Sequence, residues 1–283
     1  MKNLKTGLDQ KVLEWWNNHP FTYNLDDKLA RLTKKFFLDI DRKFRKWCPW
    51  GQADNQAMSQ KIPYASLRGK QVLDIAIGTG WSTHQLAKAG TKVTAIDIAP
   101  EAVKLTKLRF KLFHLPKAKI MVGDGQDLQF PDNSFDYALA WGCLMHMPQT
   151  QKAIREIYRV LKPGGKAQAM MYNRNSLFWW YYIFFSQGIL RGKLLKMNLQ
   201  ALTNRYTDGE KVGGNPLARV YSTREIRHLF HRFKSCHIET HDTYTPIDLF
   251  PHRLLPLGKH LPKPVKSYLL NKMGWLFWIT LTK

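Results

Sequence analysis

The chain has 283 residues, room for one large domain or a domain carrying a cap and an insertion. Apolar residues make up 44% and charged residues 23%, which excludes wholesale disorder, a collagen-like repeat and an integral membrane protein. Three cysteines (Cys48, Cys143 and Cys236) exclude a disulfide framework and fit a reducing compartment, while a net charge of +23 raises nucleic acid, anionic lipid or an anionic substrate as partners.

The basic excess is spread along the chain without an arginine-rich tail, which weakens the nucleic-acid reading. Residues 1–10 are polar and no apolar stretch with a small-residue cleavage site follows, so no signal peptide is expected and the expected location is cytoplasmic. Residues 12–25 are aromatic and polar, with Asn-Asn and His-Pro breaking any long helix. From Asp27 to Trp47 apolar residues recur three and four apart with basic residues between them, which predicts an amphipathic helix with a basic outer face. Residues 1–68 together form an N-terminal helical cap or lid, and Trp15, Trp16, Phe21 and Tyr23 are its candidates for covering a site.

From Gly69 the texture changes to short apolar runs alternating with helical periods. Strands are expected at 71–77, 92–98, 118–122, 135–141 and 166–172, with helices at 81–89, 100–113 and 148–161 between them. Residues 174–220 break the rhythm with an aromatic run, LFWWYYIFF, and several basic residues, and are read as a substrate-shaping insertion. That run is about half of the ~20 residues that span a bilayer. Ser222 and Glu225 form a capping-box pattern ahead of a helix at 223–233, strands follow at 236–240 and 274–282, and 251–264 is a Pro-rich connection. The pattern is α/β: a doubly wound, mostly parallel sheet of seven strands, with residues 69–173 and 221–283 building the core around the insertion.

The stretch V-L-D-I-A-I-G-T-G at 72–80 runs from a strand into a glycine turn and a helix. Such a turn lets a ligand approach the backbone closely, and an acid at the end of the next strand, Asp97, is placed to bind two ribose hydroxyls. A dinucleotide fingerprint needs a third glycine where Thr83 stands, and Asp74 just before the turn is ill suited to a pyrophosphate. G-D-G-Q-D-L at 123–128, F-P-D-N-S-F-D at 130–136 and L-K-P-G-G at 161–165 follow in order.

With these motifs the chain resembles the class I S-adenosylmethionine-dependent methyltransferases, in particular the bacterial group acting on small molecules, over about residues 70–172. The resemblance implies a Rossmann-like sheet and S-adenosylmethionine as cofactor with S-adenosylhomocysteine as product; the cysteine spacing separately gives no zinc site, and no metal is expected. It also implies cofactor contacts from Asp74, Ala76, Gly78, Gly80, Asp97, Ile98, Asp124, Gly125, Gln126 and Trp141. Ala76 stands where the family has its first glycine. Asp97 would hold the ribose and Asp124 the adenine amino group.

The segment after the fourth strand, Trp141-Gly142 and then Cys143 to Met147, is expected beside the transferring methyl. His146 is the candidate catalytic base if the acceptor is a hydroxyl, since an imidazole titrates near neutrality. Tyr172, Asn173, Arg219 and Tyr221 are the candidate acceptor-binding residues. His228, His231, His237 and His241 read as scattered surface histidines rather than a metal cluster. The leading expectation is a methyltransferase for a small-molecule acceptor, with a hydroxyl ahead of an amine. The alternatives are a lipid or quinone methyltransferase in peripheral contact with a membrane, a nucleic-acid methyltransferase, and a non-catalytic cofactor-binding partner subunit.

Overall fold

The computed structural model of the chain describes residues 7–20, 33–51, 58–242 and 260–283. Phe21, Tyr23, the first part of the helix expected at 27–47 and most of the Pro-rich connection lie outside the described residues.

The order of the sheet is β3 (Lys119–Val122), β2 (Lys92–Asp97), β1 (Gln71–Ile75), β4 (Phe135–Ala140), β5 (Leu161–Asn173), β8 (Leu276–Thr282) and β7 (Ser235–His241), with β6 (Val220–Tyr221) pairing the end of β5. β1 to β6 pair in parallel, for instance Val72 with Val93 and with Tyr137. β8 alone runs antiparallel to both its neighbours, facing Ala169 and Ile238 with Ile279. A short α3 (Tyr64–Leu67) precedes β1, and helices α4 (Trp81–Lys88), α5 (Pro100–Leu112) and α6 (Thr150–Val160) make the crossovers.

Successive strand residues point to opposite faces and build two cores. Val72, Tyr137, Met170 and Trp278 pack on one side and Leu73, Ala138, Ala169 and Ile279 on the other. Burying each large apolar side chain contributes about 1.5–3 kcal/mol. The inner parallel strands β1, β4 and the second half of β5 are buried on both faces, as a parallel sheet covered by helices requires, while the edge strands β3 and β7 are partly exposed.

The expected helix and strand order holds, with local differences. β5 begins at Leu161, before the Pro163-Gly164-Gly165 corner expected to precede it. The pairing jumps from Phe135 with Leu161 to Tyr137 with Lys166, so the corner is an irregularity inside the strand rather than its start. The two-residue β6 and α9 (Lys263–Met273) were not anticipated; α9 opens with Pro264 in its first turn, where a missing N–H costs nothing. α1 (Gly7–Asn18) takes in Asn17 and Asn18, expected to break it, as its last two residues, and stops at His19-Pro20.

α2 (Lys34–Trp47) starts where Thr33 Oγ1 accepts from the Phe36 N–H, and buries Phe36, Phe37, Ile40 and Phe44. It is fixed to α5 by a buried ion pair, with Arg109 Nη2 donating to Asp41 Oδ2 at 2.5 Å. Arg109 Nε donates to His84 Nδ1 at 3.0 Å, and the guanidinium lies over Phe37 and Phe113. Burial, followed by the Arg109 charge, pushes the His84 imidazole down to about 3, which keeps that nitrogen an acceptor.

After β5 the chain forms a π-helix over Phe178–Leu190, a short turn at Lys193–Leu195 and α7 (Leu199–Tyr206). α8 (Thr223–Leu229) carries the expected capping box, Ser222 with Glu225.

Candidate active site

At the carboxyl ends of β1, β2 and β4 lies a pocket whose space, mouth included, is about 1200 Å³. A parallel sheet opens such a crevice where its strand order reverses, here between β1 and β4. The floor is the turn from β1 to α4. Ala76, Gly78 and Gly80 all adopt left-handed backbone, with φ of 58°, 54° and 73°. A side chain on Gly80 would also collide with Thr106, whose Cγ2 lies 2.6 Å from the position of a Cβ. Ala76 accepts a conformation that costs a non-glycine residue about 1–2 kcal/mol.

Behind the turn, outside the pocket lining, Asp74 Oδ2 accepts from Ser82 Oγ at 2.8 Å and Thr83 Oγ1 at 2.7 Å. Those bonds tie the start of α4 to β1 and hold the turn. Burial pushes the Asp74 carboxyl up to about 6, against the two hydroxyls. Asp97 ends β2 and lines the pocket; its Oδ2 accepts from the Gly78 N–H and its Oδ1 from the Ala99 N–H, both at 2.9 Å. Burial pushes it up to about 6 as well. Each carboxylate oxygen keeps a second lone pair for a ligand hydroxyl.

Ile98, Asp124, Gly125, Gln126 and Trp141 also line the pocket. Asp124 Oδ1 accepts from the Gln126 N–H at 2.8 Å. Gln126 bridges outward, donating to Asp9 of α1 at 3.3 Å and accepting from the Gln149 N–H at 2.6 Å. A Cβ on Gly125 would stand 2.8 Å from Met147 Cε, so the wall is tight there.

Beyond the turn the pocket is bounded by Trp16 of α1, His146, Tyr172 and Asp208. His146 follows β4 in a short helical turn, Leu144–His146, and is buried. Its Nδ1 lies 2.7 Å from the Leu217 carbonyl, so Nδ1 carries a proton. Its Nε2 faces Asp208 Oδ2 at 3.4 Å, and the Tyr172 hydroxyl donates to that same oxygen at 2.8 Å. Burial lowers the imidazole below its usual range, while the Asp208 carboxylate and the Leu217 carbonyl pull it back up. With Nδ1–H on the carbonyl, neutral Nε2 and a carboxylate oxygen are two acceptors facing each other.

Trp16 lies edge-on to His146 at 5.2 Å, and Trp15 beside it packs against Gly209. A Cβ at Gly209, whose φ is 69°, would fall 2.6 Å from the Trp15 ring. Glycine after Asp208 is therefore what lets α1 close over that carboxylate.

Three residues expected to touch the acceptor lie elsewhere. Asn173 is buried, donating to the Gly274 carbonyl and accepting from the Asn175 N–H, both at 2.8 Å. Arg219 clamps the loop after β4 through the Met147 and Pro148 carbonyls, at 2.8 and 3.1 Å. Tyr221 reaches Thr150 at 3.3 Å. All three are outside the pocket lining: β6 turns the Arg219–Tyr221 segment toward the start of α6, and the Asn173 amide is spent on Gly274 and Asn175. Of the four, Tyr172 alone reaches the pocket.

Asp208 was missed. A signal was present: it is the first acid after Glu156, at the end of a long aromatic and basic stretch. Of the four histidines at 228–241, His228 and His231 stack at 5.8 Å and His241 lies against Trp50. Among the described residues no group of three or more His, Cys, Asp or Glu is placed to hold a metal ion.

The site fits S-adenosylmethionine. The left-handed turn admits a close approach, the buried Asp97 carboxylate keeps acceptor capacity toward the pocket, and the Trp141 indole N–H is buried without a protein partner. The sheet order and the crevice at its reversal are those of the Rossmann-like methyltransferase fold. A family profile described as a methyltransferase domain matches residues 73–168. A demethylmenaquinone methyltransferase from Listeria welshimeri is 32% identical over 171 residues, 58% of this chain and 70% of the relative. The chain belongs to the class I S-adenosylmethionine-dependent methyltransferases, and S-adenosylmethionine is its cofactor.

Phosphoethanolamine N-methyltransferase 2 from Caenorhabditis elegans is 36% identical over 107 residues, 38% of this chain and 24% of that protein. A demethylmenaquinone methyltransferase from Tropheryma whipplei is 41% identical over 98 residues, 35% of this chain and 40% of that protein. The chain thus spans well under half the length of these two relatives. A SAM-dependent methyltransferase structure from Methanosarcina mazei shares the fold at 23% identity, covering 76% of this chain and 93% of that one, with a TM-score of 0.54. A second, from Thermotoga maritima, shares it at 16% identity, covering 95% and 99%, with a TM-score of 0.53.

Proposed function

We propose that the chain methylates a small-molecule acceptor through a hydroxyl, and that Asp208 and His146 act as one unit to take the acceptor's proton. The observation that carries this reading is the His146 Nε2 to Asp208 Oδ2 approach at 3.4 Å on the pocket wall. S-adenosylmethionine supplies, when bound, a methyl group on a positively charged sulfur.

In this reading Asp97 holds the ribose hydroxyls, and Asp124 with the Gly125–Gln126 backbone receives the adenine. The Ala76 to Gly80 turn faces the methionine part, with Asp74 fixing the turn from behind rather than touching the ligand. Trp16 and Trp141 exclude water, and Tyr172 orients the Asp208 carboxylate by donating to it. His146 stays neutral because it is buried, so the pair keeps its capacity for one proton. Residues 1–68 serve as a cap through α1 and α2, and residues 174–220 shape the acceptor site by delivering Asp208.

The pocket also receives Phe44, Trp47, Met147 and Met170, an apolar wall suited to an acceptor with an apolar body. That wall, with the demethylmenaquinone methyltransferases among the relatives, favours a quinone-like acceptor as the second reading.

The test is turnover with labelled S-adenosylmethionine against small hydroxyl, amine and quinol acceptors. Asp208→Asn is expected to lower turnover by about a hundredfold or more, the usual weight of a general base. Cofactor affinity by calorimetry should stay within about threefold, under 1 kcal/mol. An Asp208→Asn enzyme as active as the wild type overturns the reading.

A further inference from the structure

We infer that the outer face of the Phe178–Leu190 helix and the turn after it form a docking surface for an anionic lipid bilayer. The helix is a π-helix, whose i→i+5 bonding brings residues four and five apart onto one face. Trp179, Ile183, Gln187 and Gly188 are buried along one side. Trp180, Phe185, Ile189 and Leu190 follow the same spacing along the other, 45%, 40%, 50% and 65% exposed. Leu195, in the short turn after Gly192, is 91% exposed. A contiguous strip of large apolar side chains in water marks an interaction surface rather than ordinary scatter.

The charge around the strip selects the partner. Arg191 and Lys196 are exposed at its edge, and between Glu156 and Asp208 the sequence has no acidic residue. The next acid in the chain, Glu210, accepts from the Tyr182 hydroxyl at 3.0 Å. Apolar side chains bounded by cations that make no ion pair among the described residues match the acyl boundary and the anionic headgroups of a membrane surface. Among the described residues no helix is long and apolar enough to cross a bilayer, so the contact is one of lying on the surface.

The inner face of the same helix leads toward the pocket. Phe178 packs on Trp275 at 4.8 Å, and Trp275 stacks on Tyr172 at 4.4 Å. Docking would therefore place the acceptor side of the pocket near the lipid surface. The inference stands on the exposed strip and its charge, whatever group accepts the methyl.

The test is co-sedimentation of the full chain with vesicles of phosphatidylcholine alone and of phosphatidylcholine with phosphatidylglycerol. The wild type should pellet with the anionic vesicles, and added salt should release part of it. Ile189→Ser/Leu190→Ser/Leu195→Ser should lower partitioning at least tenfold. Arg191→Glu/Lys196→Glu should also lower it at least tenfold, since each basic residue near an anionic surface is worth about fivefold. Cofactor affinity, measured on each variant, should match the wild type and shows that the fold is intact. Wild type that stays in the supernatant with both vesicles overturns the proposal, as do variants that bind like wild type. A wild-type dimer that the triple serine variant converts to monomer, without vesicle binding, assigns the strip to a second copy of the chain and overturns it too. None of these outcomes depends on Asp208 turnover, so this surface and the proposed chemistry fail separately.

Discussion

The two halves of the pocket are built in different ways. On the cofactor half, Asp74, Ala76, Gly78 and Gly80 belong to one strand-turn-helix unit, and Asp97 ends the neighbouring strand. The hydrogen bond from the Gly78 N–H to Asp97 joins them directly. On the other half, Trp16, His146, Tyr172 and Asp208 come from α1, the loop after β4, the end of β5 and the chain beyond α7. Nothing local fixes their meeting; packing does, through Gly209 beneath Trp15 and the Leu217 carbonyl on His146. In the proposed reading a single local device meets the cofactor, whereas the acceptor is met by residues that only tertiary packing brings together.

If the acceptor half is one proton-accepting unit, its members are not additive. His146→Gln and Asp208→Asn should each cost about a hundredfold or more in turnover, and the double variant little more than the worse single one. A double variant whose loss is the product of the two singles would mean the residues act separately, and would break the comparison at its centre. Cofactor affinity is the control, since neither residue belongs to the turn unit.

The difference in construction also explains what was legible. The alternation of strands and helices and the glycine turn with its acid could be read because each is a short-range pattern with one geometric solution. Asp208 stood out only as the first acid after Glu156, and its approach to His146 is a product of packing across the fold that no short-range pattern encodes. Arg219, Asn173 and Tyr221 were misplaced for the same reason: their sequence neighbours suggested the open edge of the sheet, but the two-residue β6 directs Arg219 and Tyr221 to α6, and Asn173 is used up on Gly274 and Asn175. The π-helix was hidden as well, because an unbroken aromatic run carries no periodicity from which to tell its turn.

On the cofactor half the next largest effect belongs to Asp97. Asp97→Ala should weaken cofactor affinity about tenfold or more, as hydrogen bonds to a charged acceptor are worth ~1.5–3 kcal/mol. Its pH dependence sharpens the point. Burial raises the folded carboxyl to about 6, above the unfolded value of ~3.9. The folded chain therefore binds more protons between about 4 and 6, and this group's stabilising contribution is complete below about 4 and lost as pH rises through about 6. The ionised form is the one that accepts two hydroxyls, so cofactor affinity should fall as pH drops through about 6, and binding near that pH should release a proton. Calorimetry in buffers of different ionisation enthalpy measures the release. Asp74 titrates in the same range, and Asp97→Asn isolates the share due to Asp97. A wild-type affinity independent of pH from 5 to 7 would contradict the ribose assignment.

The smallest effect tests whether the turn is optimised for stability or only for shape. Ala76 holds φ at 58°, where an L-residue with a Cβ crowds its own carbonyl at a cost of about 1–2 kcal/mol. Glycine removes that crowding but loses about 0.5–1 kcal/mol more conformational entropy on folding than alanine. The balance favours Ala76→Gly by a few tenths to about 1 kcal/mol, since alanine at positive φ destabilises by more than its entropy advantage. For a chain of this size that is a rise in Tm of roughly 1–4 °C, measured by thermal unfolding of the cofactor-free protein. The peptide on the other side of Ala76 is already held, its N–H donating to the Ile96 carbonyl at 2.8 Å, so the turn should keep its path and cofactor affinity should not weaken. A lower Tm would show that the Ala76 methyl packs well enough to offset its backbone strain. The left-handed alanine would then be a feature of the turn's packing, and this local half of the pocket would also depend on tertiary contacts.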